Sequence, residues 1–333
     1  MSLSPYGCRI VGTGMAVPQT VLTNADLERM MDTSDEWIVQ RTGVRTRYRS
    51  NPDLGEDVAS LSIAAVTAAL EEAKINPAEL DLLMLATCTP DMTCPSTASR
   101  VAGRIGAIPA GSFDILAACS GFVYGLNIAD SLIRQGGYRT IAMIGADSLT
   151  RVADYTNRKV SILSGDGAGA AIVQRVDDPS RGCLFQSMYS DGRLWDYLYI
   201  PTRESDAPPD VDWNETKLNY LQMKGREVFK FAVTMIPDAL EEALHKSGVK
   251  MDEVAMIIAH QSNARIIDAT RKRLNLPEDR FYVNIDRYGN TSAASVPICL
   301  HELRQAGRVN EGEVVVFVAM GGGMTWGTSV WRV

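Results

Sequence analysis

Unbroken apolar runs, rather than alternating ones, are the dominant pattern of this chain. Residues 82–86 (LLMLA), 140–145 (TIAMIG), 255–259 (AMIIA) and 314–319 (VVVFVA) are apolar at almost every position, which predicts strands covered on both faces. Between such runs, apolar residues recur at helical spacing. Phe122, Leu126, Ala129 and Ile133 form one set, and Val233, Ile236, Leu240 and Leu244 another; each predicts an amphipathic helix. Helix and strand alternate along the chain, so the fold class is α/β, with helices sandwiching sheets.

The pattern also repeats. Ala69-Leu70-Glu71-Glu72-Ala73 recurs as Ala239-Leu240-Glu241-Glu242-Ala243, an offset of 170 residues, and each copy precedes an apolar strand. Phe113-Asp114-Ile115 pairs with Val283-Asn284-Ile285 and Arg134-Gln135 with Arg304-Gln305 at the same offset, while residues 140–145 match 314–319 at 174. Matches in the same order imply a duplicated unit. Each half reads as helix, strand, helix, strand, helix, strand, with residues 282–285 expected to be a strand of the second half. The halves are expected to span 1–176 and 177–333, packed in layers around a pseudo-twofold axis. Residues 190–216, with Pro201, Pro208 and Pro209 among acidic residues, break the pattern and read as a long loop of the kind that covers an active site.

Composition narrows the chemistry. The chain has 333 residues, 46% of them hydrophobic, and a formal charge of -7, so nothing draws it generally to nucleic acid and an anionic partner requires a local basic patch. Cys8, Cys88, Cys94, Cys119, Cys183 and Cys299 show neither CxxC pairing nor metal-ligand spacing with the histidines, so reduced thiols and no metal are expected. The N-terminal stretch lacks the pattern of an export signal, and no uncharged apolar run is long enough for a bilayer; a cytoplasmic location is expected. Gly165-Asp166-Gly167-Ala168-Gly169 and Gly321-Gly322-Gly323 lack the ending of a phosphate loop, leaving close backbone packing as their role.

Three polar residues follow strand ends, where open α/β sheets build their sites. Cys119, in Ala117-Ala118-Cys119-Ser120-Gly121, sits where a helix begins; the positive end of that helix favours a nucleophilic thiolate and an oxyanion. His260 ends an apolar strand and is followed by Gln261-Ser262-Asn263, whereas His245 and His301 occupy ordinary helix positions. Asn290, in Tyr288-Gly289-Asn290-Thr291-Ser292, doubles as a helix cap. On these residues alone, a buried structural cysteine, a papain-like hydrolase and a silent acyl-binding scaffold compete with an acyl-transfer enzyme.

The blocks Asp114-Ile115-Leu116-Ala117-Ala118-Cys119-Ser120-Gly121-Phe122, His260-Gln261-Ser262-Asn263 and Tyr288-Gly289-Asn290-Thr291-Ser292 together resemble the β-ketoacyl-acyl carrier protein synthase III family. The resemblance extends from Ile10 through Gly327 and implies a thiolase-like five-layered αβαβα fold of two pseudo-symmetric halves. It implies a transfer of acyl from coenzyme A to Cys119, then a decarboxylative condensation with malonyl-acyl carrier protein that initiates fatty acid synthesis. A similar acyltransferase of a polyketide or quinolone-type pathway is the alternative. Neutral His260 and the Asn290 amide would donate to an enolate oxygen, and the Cys119 and Gly322 amides would form the oxyanion hole.

The resemblance places coenzyme A on Thr33, Trp37, Arg41, Arg158, Gly225, Phe229 and Asn263, with adenine between Trp37 and Arg158. Thr33 and Glu36 also read as a capping box. Coenzyme A is expected as a substrate, with no permanently bound cofactor. An acidic carrier protein would dock on Lys230, Arg265, Lys272 and Arg273, joined by Arg271, Lys224 and Arg226. A homodimer is implied, with Cys94 where a bulky aromatic often reaches into the partner's acyl pocket; the smaller side chain implies room for a primer longer than acetyl.

Overall fold

The computed structural model describes residues 4–214 and 216–333. The apolar runs become the middle strands of two mixed sheets. The first sheet contains β1 (Gly7–Ala16), β2 (Leu82–Ala86), β3 (Gly111–Ile115), β4 (Thr140–Ser148) and β5 (Asp166–Val176), in the order β1-β5-β4-β2-β3. The second contains β6 (Gly182–Ser190), β7 (Val254–Ala259), β8 (Val314–Gly321) and β9 (Thr325–Arg332), in the order β7-β8-β9-β6. Strand β2 is parallel to β3 and β4, and β7 is parallel to β8; the remaining pairings, β1 with β5, β5 with β4, β8 with β9 and β9 with β6, are antiparallel. The two halves therefore trace the same path.

Successive side chains of a strand point to opposite faces, and the sheets use both. Leu82, Met84 and Ala86 face inward with Met256, Ile258, Val315 and Phe317 from the second sheet. Between them lie α3 (Gly121–Arg134) and α6 (Ser295–Gln305), through Phe122, Leu126, Val296 and Leu300. Leu83, Leu85, Ala142 and Ile144 face outward onto α1 (Val58–Ala73) and α2 (Thr97–Ile105). Ile257, Val316 and Val318 face α4 (Gly225–Ser247) and α5 (Ala264–Arg273). The layers run helix, sheet, helix, sheet, helix, the thiolase-like arrangement.

Three expectations change. The predicted strand at 282–285 is not one: Phe281 makes an isolated parallel bridge to Ile257 where β3 would have its counterpart, and Ile285 opens a short helix, Ile285–Tyr288. Polar neighbours Asn284 and Asp286 interrupt the ladder there. Each half also opens with a strand and closes with an antiparallel one, β1 and β5, then β6 and β9. Finally, the amphipathic α3 is buried on its polar side as well. Its polar Asn127 and Asp130 are buried, Asn127 donating to the Ser187 and Thr328 carbonyls at 3.2 Å and Asp130 pairing with Arg134 at 2.9 Å.

Glycines set how closely the halves approach. A β-carbon on Gly145 of β4 would stand 2.2 Å from the Ala293 carbonyl oxygen, and one on Gly169 of β5 would stand 2.8 Å from the Ile298 nitrogen. Gly145→Ala should therefore push α6 off the first sheet. We expect a loss of about 1–3 kcal/mol of stability in urea unfolding, with a larger proportional loss of activity; a variant equal to wild type in both would count against this packing.

Candidate active site

Cys119 stands on a strained turn between β3 and α3. Ala118 has a φ of 45°, and Ala118–Ser120 form a single 3₁₀ turn that runs straight into the helix. Positive φ costs a non-glycine residue roughly 1–2 kcal/mol, so surrounding contacts must hold it. The Ser120 hydroxyl donates to the Ala117 carbonyl at 2.7 Å and lies 2.8 Å from the Thr325 hydroxyl, which reaches the Gly322 carbonyl at 3.1 Å. A β-carbon on Gly321 would meet the Cys119 nitrogen at 2.6 Å, so glycine is needed for this loop to lie against the turn.

The second half repeats the turn. Ser292, 174 residues after Ala118, has a φ of 51°, and Ser292–Ala294 form a 3₁₀ turn leading into α6. Here it presents Asn290 and Ser292 rather than a nucleophile. The Asn290 backbone is clasped by the first half, its N–H donating to the Leu163 carbonyl at 2.7 Å and its carbonyl accepting from Gly165 at 2.9 Å. Its side-chain oxygen accepts the Ser292 N–H at 2.8 Å, which leaves the amide NH2 as a donor. The Ser292 hydroxyl is close enough to the Cys119 thiol to favour its charged form.

His260 follows β7, with its N–H on the Val318 carbonyl at 2.9 Å. Its Nδ1 lies 2.7 Å from the Ser295 hydroxyl, which donates to the Ser292 carbonyl at 2.9 Å and accepts the Gln261 N–H at 3.3 Å. That hydroxyl has one proton and two acceptors in reach, the Ser292 carbonyl and Nδ1, so the contact fixes the ring in either neutral tautomer. Nε2 has no hydrogen-bond partner among the described residues, so it can donate as a neutral N–H or accept a proton.

Cys119, His260, Asn290 and Gly322 line one cavity of about 780 Å³. Burial pushes the Cys119 thiol up to about 12; the Ser292 hydrogen bond opposes this, and the Asp147 carboxylate adds to it. Burial also pushes His260 down to about 3. Burial thus favours the neutral thiol and the neutral imidazole, and it opposes the thiolate that the helix terminus favours.

Comparison with known proteins places this architecture. Residues 113–192 and 244–333 match the family models for 3-oxoacyl-[acyl-carrier-protein] synthase III and its C-terminal part. The chain is similar to the β-ketoacyl-[acyl-carrier-protein] synthase III of Roseiflexus castenholzii, with 46% identity over 97% of each chain. The crystal structure of the Aquifex aeolicus 3-oxoacyl-[acyl-carrier-protein] synthase III superposes with a TM-score of 0.90 at 43% identity, covering 98% of this chain and 100% of that one. A priming β-ketosynthase from the R1128 polyketide pathway superposes at 0.89 with 33% identity, over 98% and 96% of the two chains. This chain belongs to the β-ketoacyl-acyl carrier protein synthase III family.

In this synthase III chain the cavity mouth carries Gly225, Phe229 and Asn263. The Asn263 amide donates to the Arg41 carbonyl at 3.1 Å and its oxygen caps α5 through Arg265 N–H at 2.9 Å, so the mouth is tied to the helix Asp35–Thr42. Thr33, Trp37, Arg41 and Arg158 lie beyond the cavity lining. Trp37 is half-buried, with the Arg158 guanidinium 4.8 Å and that of Arg41 5.8 Å from its ring centroid. Arg158 thus covers the indole face. The helix is capped by Ser34, which accepts from Trp37 N–H at 3.2 Å, not by a Thr33–Glu36 box. The Thr33 hydroxyl is buried without a partner among the described residues.

The basic patch is smaller than expected. Lys272 pairs with Asp268 at 2.7 Å, Arg271 with Asp268 at 2.9 Å and Glu278 at 3.2 Å, and Arg273 with Asp238. Lys224 is held by Asp196 at 2.5 Å. Among the described residues, Arg226, Lys230 and Arg265 form no ion pair, and Arg265 lies 5.3 Å over the Phe229 ring at the mouth. Cys94 is exposed and outside this chain's own cavity lining. The loop after β6 does cover the site, contributing Leu198, Tyr199, Ile200 and Thr202.

Sequence reasoning passed over Ser292, Ser295 and Asp147. Asp147 is fully buried, and its carboxylate accepts from the Thr87 and Thr89 hydroxyls at 3.0 and 2.8 Å and from Cys88 N–H at 2.8 Å. A lone acid inside the apolar run of β4 was its only signal.

A buried neutral histidine also leaves a mark on stability. The folded value near 3 lies below the ordinary 6.5, so between those limits the unfolded chain binds a proton that the folded chain refuses. Stability attributable to His260 is present above about pH 6.5 and is lost as pH falls. From pH 7 to pH 5, wild type should lose about 2 kcal/mol more than His260→Leu in urea unfolding; parallel losses would show that the imidazole is not held neutral.

Proposed function

We propose that this chain condenses an acyl-coenzyme A primer with malonyl-acyl carrier protein, the first carbon–carbon bond of fatty acid synthesis. One observation carries the reading: a thiol, an imidazole with a free Nε2 and a carboxamide with a free NH2 line one cavity. Cys119 passes its proton to Nε2 as its sulfur attacks the primer's thioester carbonyl. The backbone amides of Cys119 and Gly322 receive the oxyanion. Coenzyme A leaves as a thiolate and takes the proton back from His260. The malonyl group then loses carbon dioxide, and the Asn290 amide donates to the enolate oxygen. The enolate carbon attacks acyl-Cys119, the carbon–sulfur bond breaks, and the released thiolate takes a proton from solvent water.

Trp37, Arg41, Arg158, Thr33 and Asn263 form the approach for coenzyme A, with Arg158 moving off the indole to admit adenine. The exposed edge β3 supports a homodimer. Phe113 is 41% and Leu116 78% exposed there, and Leu116 also lines the cavity, so a second copy pairing along this edge would close the acyl pocket. Cys94 would then sit beside the partner's pocket and admit primers longer than acetyl. The six cysteines are unpaired, which fits the reducing cytoplasm. No helix among the described residues is long and apolar enough to cross a membrane.

Intact-mass measurement after incubation with acetyl-, butyryl- and octanoyl-coenzyme A should show one acyl group on Cys119, with octanoyl accepted; acetyl alone labelling the protein would refute the longer primer. Asn290→Ala should still be acylated while condensation falls by about 10²–10³-fold. Equal losses in both stages would remove its assigned role.

Carrier docking should depend on Arg265 and not on the paired lysine. Arg265→Glu is expected to raise KM for malonyl-acyl carrier protein by about 5–10-fold and Lys272→Glu to leave it within about twofold; the reverse order would relocate the doorway. Sedimentation should give a dimer for wild type and a monomer for Phe113→Lys, and a dimeric variant would rule out this edge.

A further inference from the structure

The cavity holds a second thiol that the condensation does not use. Cys88 lies two residues beyond β2 and Cys119 four beyond β3, and these neighbouring parallel strands pair Ala86 with Ile115. Both cysteines line the same cavity. The Cys88 sulfur is 3.9 Å from the Ser292 hydroxyl oxygen, and that hydroxyl also acts on the Cys119 thiol. The two sulfurs thus share Ser292 as a neighbour. Cys88 is anchored through its N–H to Asp147.

We infer that Cys88 is the resolving thiol for Cys119, a modification site at which peroxide closes a Cys88–Cys119 disulfide and switches the synthase off reversibly. The reaction balances in two steps. The Cys119 sulfur, its proton taken by His260, attacks a peroxide oxygen; an S–O bond forms, the O–O bond breaks, and water leaves after reprotonation. Cys88 then attacks the sulfenic sulfur; the S–S bond forms, the S–O bond breaks, and a second water carries off the Cys88 proton. Two thiols are oxidised and one peroxide is reduced. Without Cys88, the sulfenic acid stays exposed to further peroxide and proceeds to sulfinic acid, which dithiothreitol does not reduce. Burial and the nearby Asp147 hold both thiols protonated at rest, so the pair reacts slowly until Cys119 is activated.

The inference rests on Cys119 being the reactive thiol of the proposed reaction, yet its readout is independent of condensation. Wild-type protein treated with hydrogen peroxide and digested without reductant should yield a Cys88–Cys119 cross-linked peptide, and dithiothreitol should restore most of the lost activity. Cys88→Ser, scaled to its own untreated activity, should lose activity to peroxide, recover none with dithiothreitol, and carry sulfinic acid on Cys119. Prior acylation of wild type should block the cross-link. Wild type that gains oxygen on Cys119 without the cross-linked peptide would overturn the inference, as would a Cys88→Ser variant that recovers like wild type. Peptide mapping of wild type decides the matter even if the variant folds poorly, and failure of acyl labelling would instead sink the condensing reading itself.

Discussion

The structure depends on two buried helices beginning against each other across the pseudo-twofold axis. Helices α3 and α6 each start from a turn with a residue at positive φ, Ala118 and Ser292, and the turns meet where Gly145 lets the Ala293 carbonyl approach. Strain on this scale persists only where the surroundings over-determine it. Two sheets enclose the helices, and hydroxyls of Ser120, Thr325 and Ser295 lace the turns to the strands beside them. One turn presents a thiol and the other a hydroxyl and a carboxamide. Neither half is a site alone.

Burial decides how that site is charged. A sulfur and an imidazole shielded from water both rest neutral, and Asp147, satisfied by hydroxyls and amides, adds negative potential that disfavours a standing thiolate. In the proposed reaction charge would appear only as the proton moves from sulfur to Nε2, with the helix terminus and backbone amides positioned to meet the oxyanion. Ser295 matters to this arrangement because its hydroxyl bridges the His260 Nδ1 and the Ser292 carbonyl, which fixes the ring and leaves Nε2 facing the site.

The same halves divide recognition from chemistry. The mouth is built by α4 and α5 of the second half, but Asn263 ties it to Arg41 of the first, beside the Trp37 face covered by Arg158. Surface charge is sorted as closely. Asp268, Glu278 and Asp238 neutralise the outer basic residues of α5, leaving Arg265 near Phe229 as the cation at the opening. In a chain of net charge -7, such local exceptions are where an anionic partner would be drawn.

Much of this was legible in the residues alone. Strands buried on both faces need continuous apolar runs, so β2, β4, β7 and β8 announced themselves, as did the duplication and the small residues around Cys119 that permit a tight turn. Glycines at 165–169 and 321–323 read correctly as close packing, because that need is local to the backbone. The strand expected at 282–285 failed because pairing there is limited to Phe281. What tertiary structure alone decided is everything set by residues far apart in the chain: the Ser292 hydroxyl beside Cys119, the Ser295 contact that fixes the His260 ring, the carboxylates that pair with Lys272 and Arg273, and the placing of Cys88 in one cavity with Cys119. Local spacing records which face a residue occupies; packing determines which side chains meet and whether water reaches them, and so the protonation of a thiol and an imidazole.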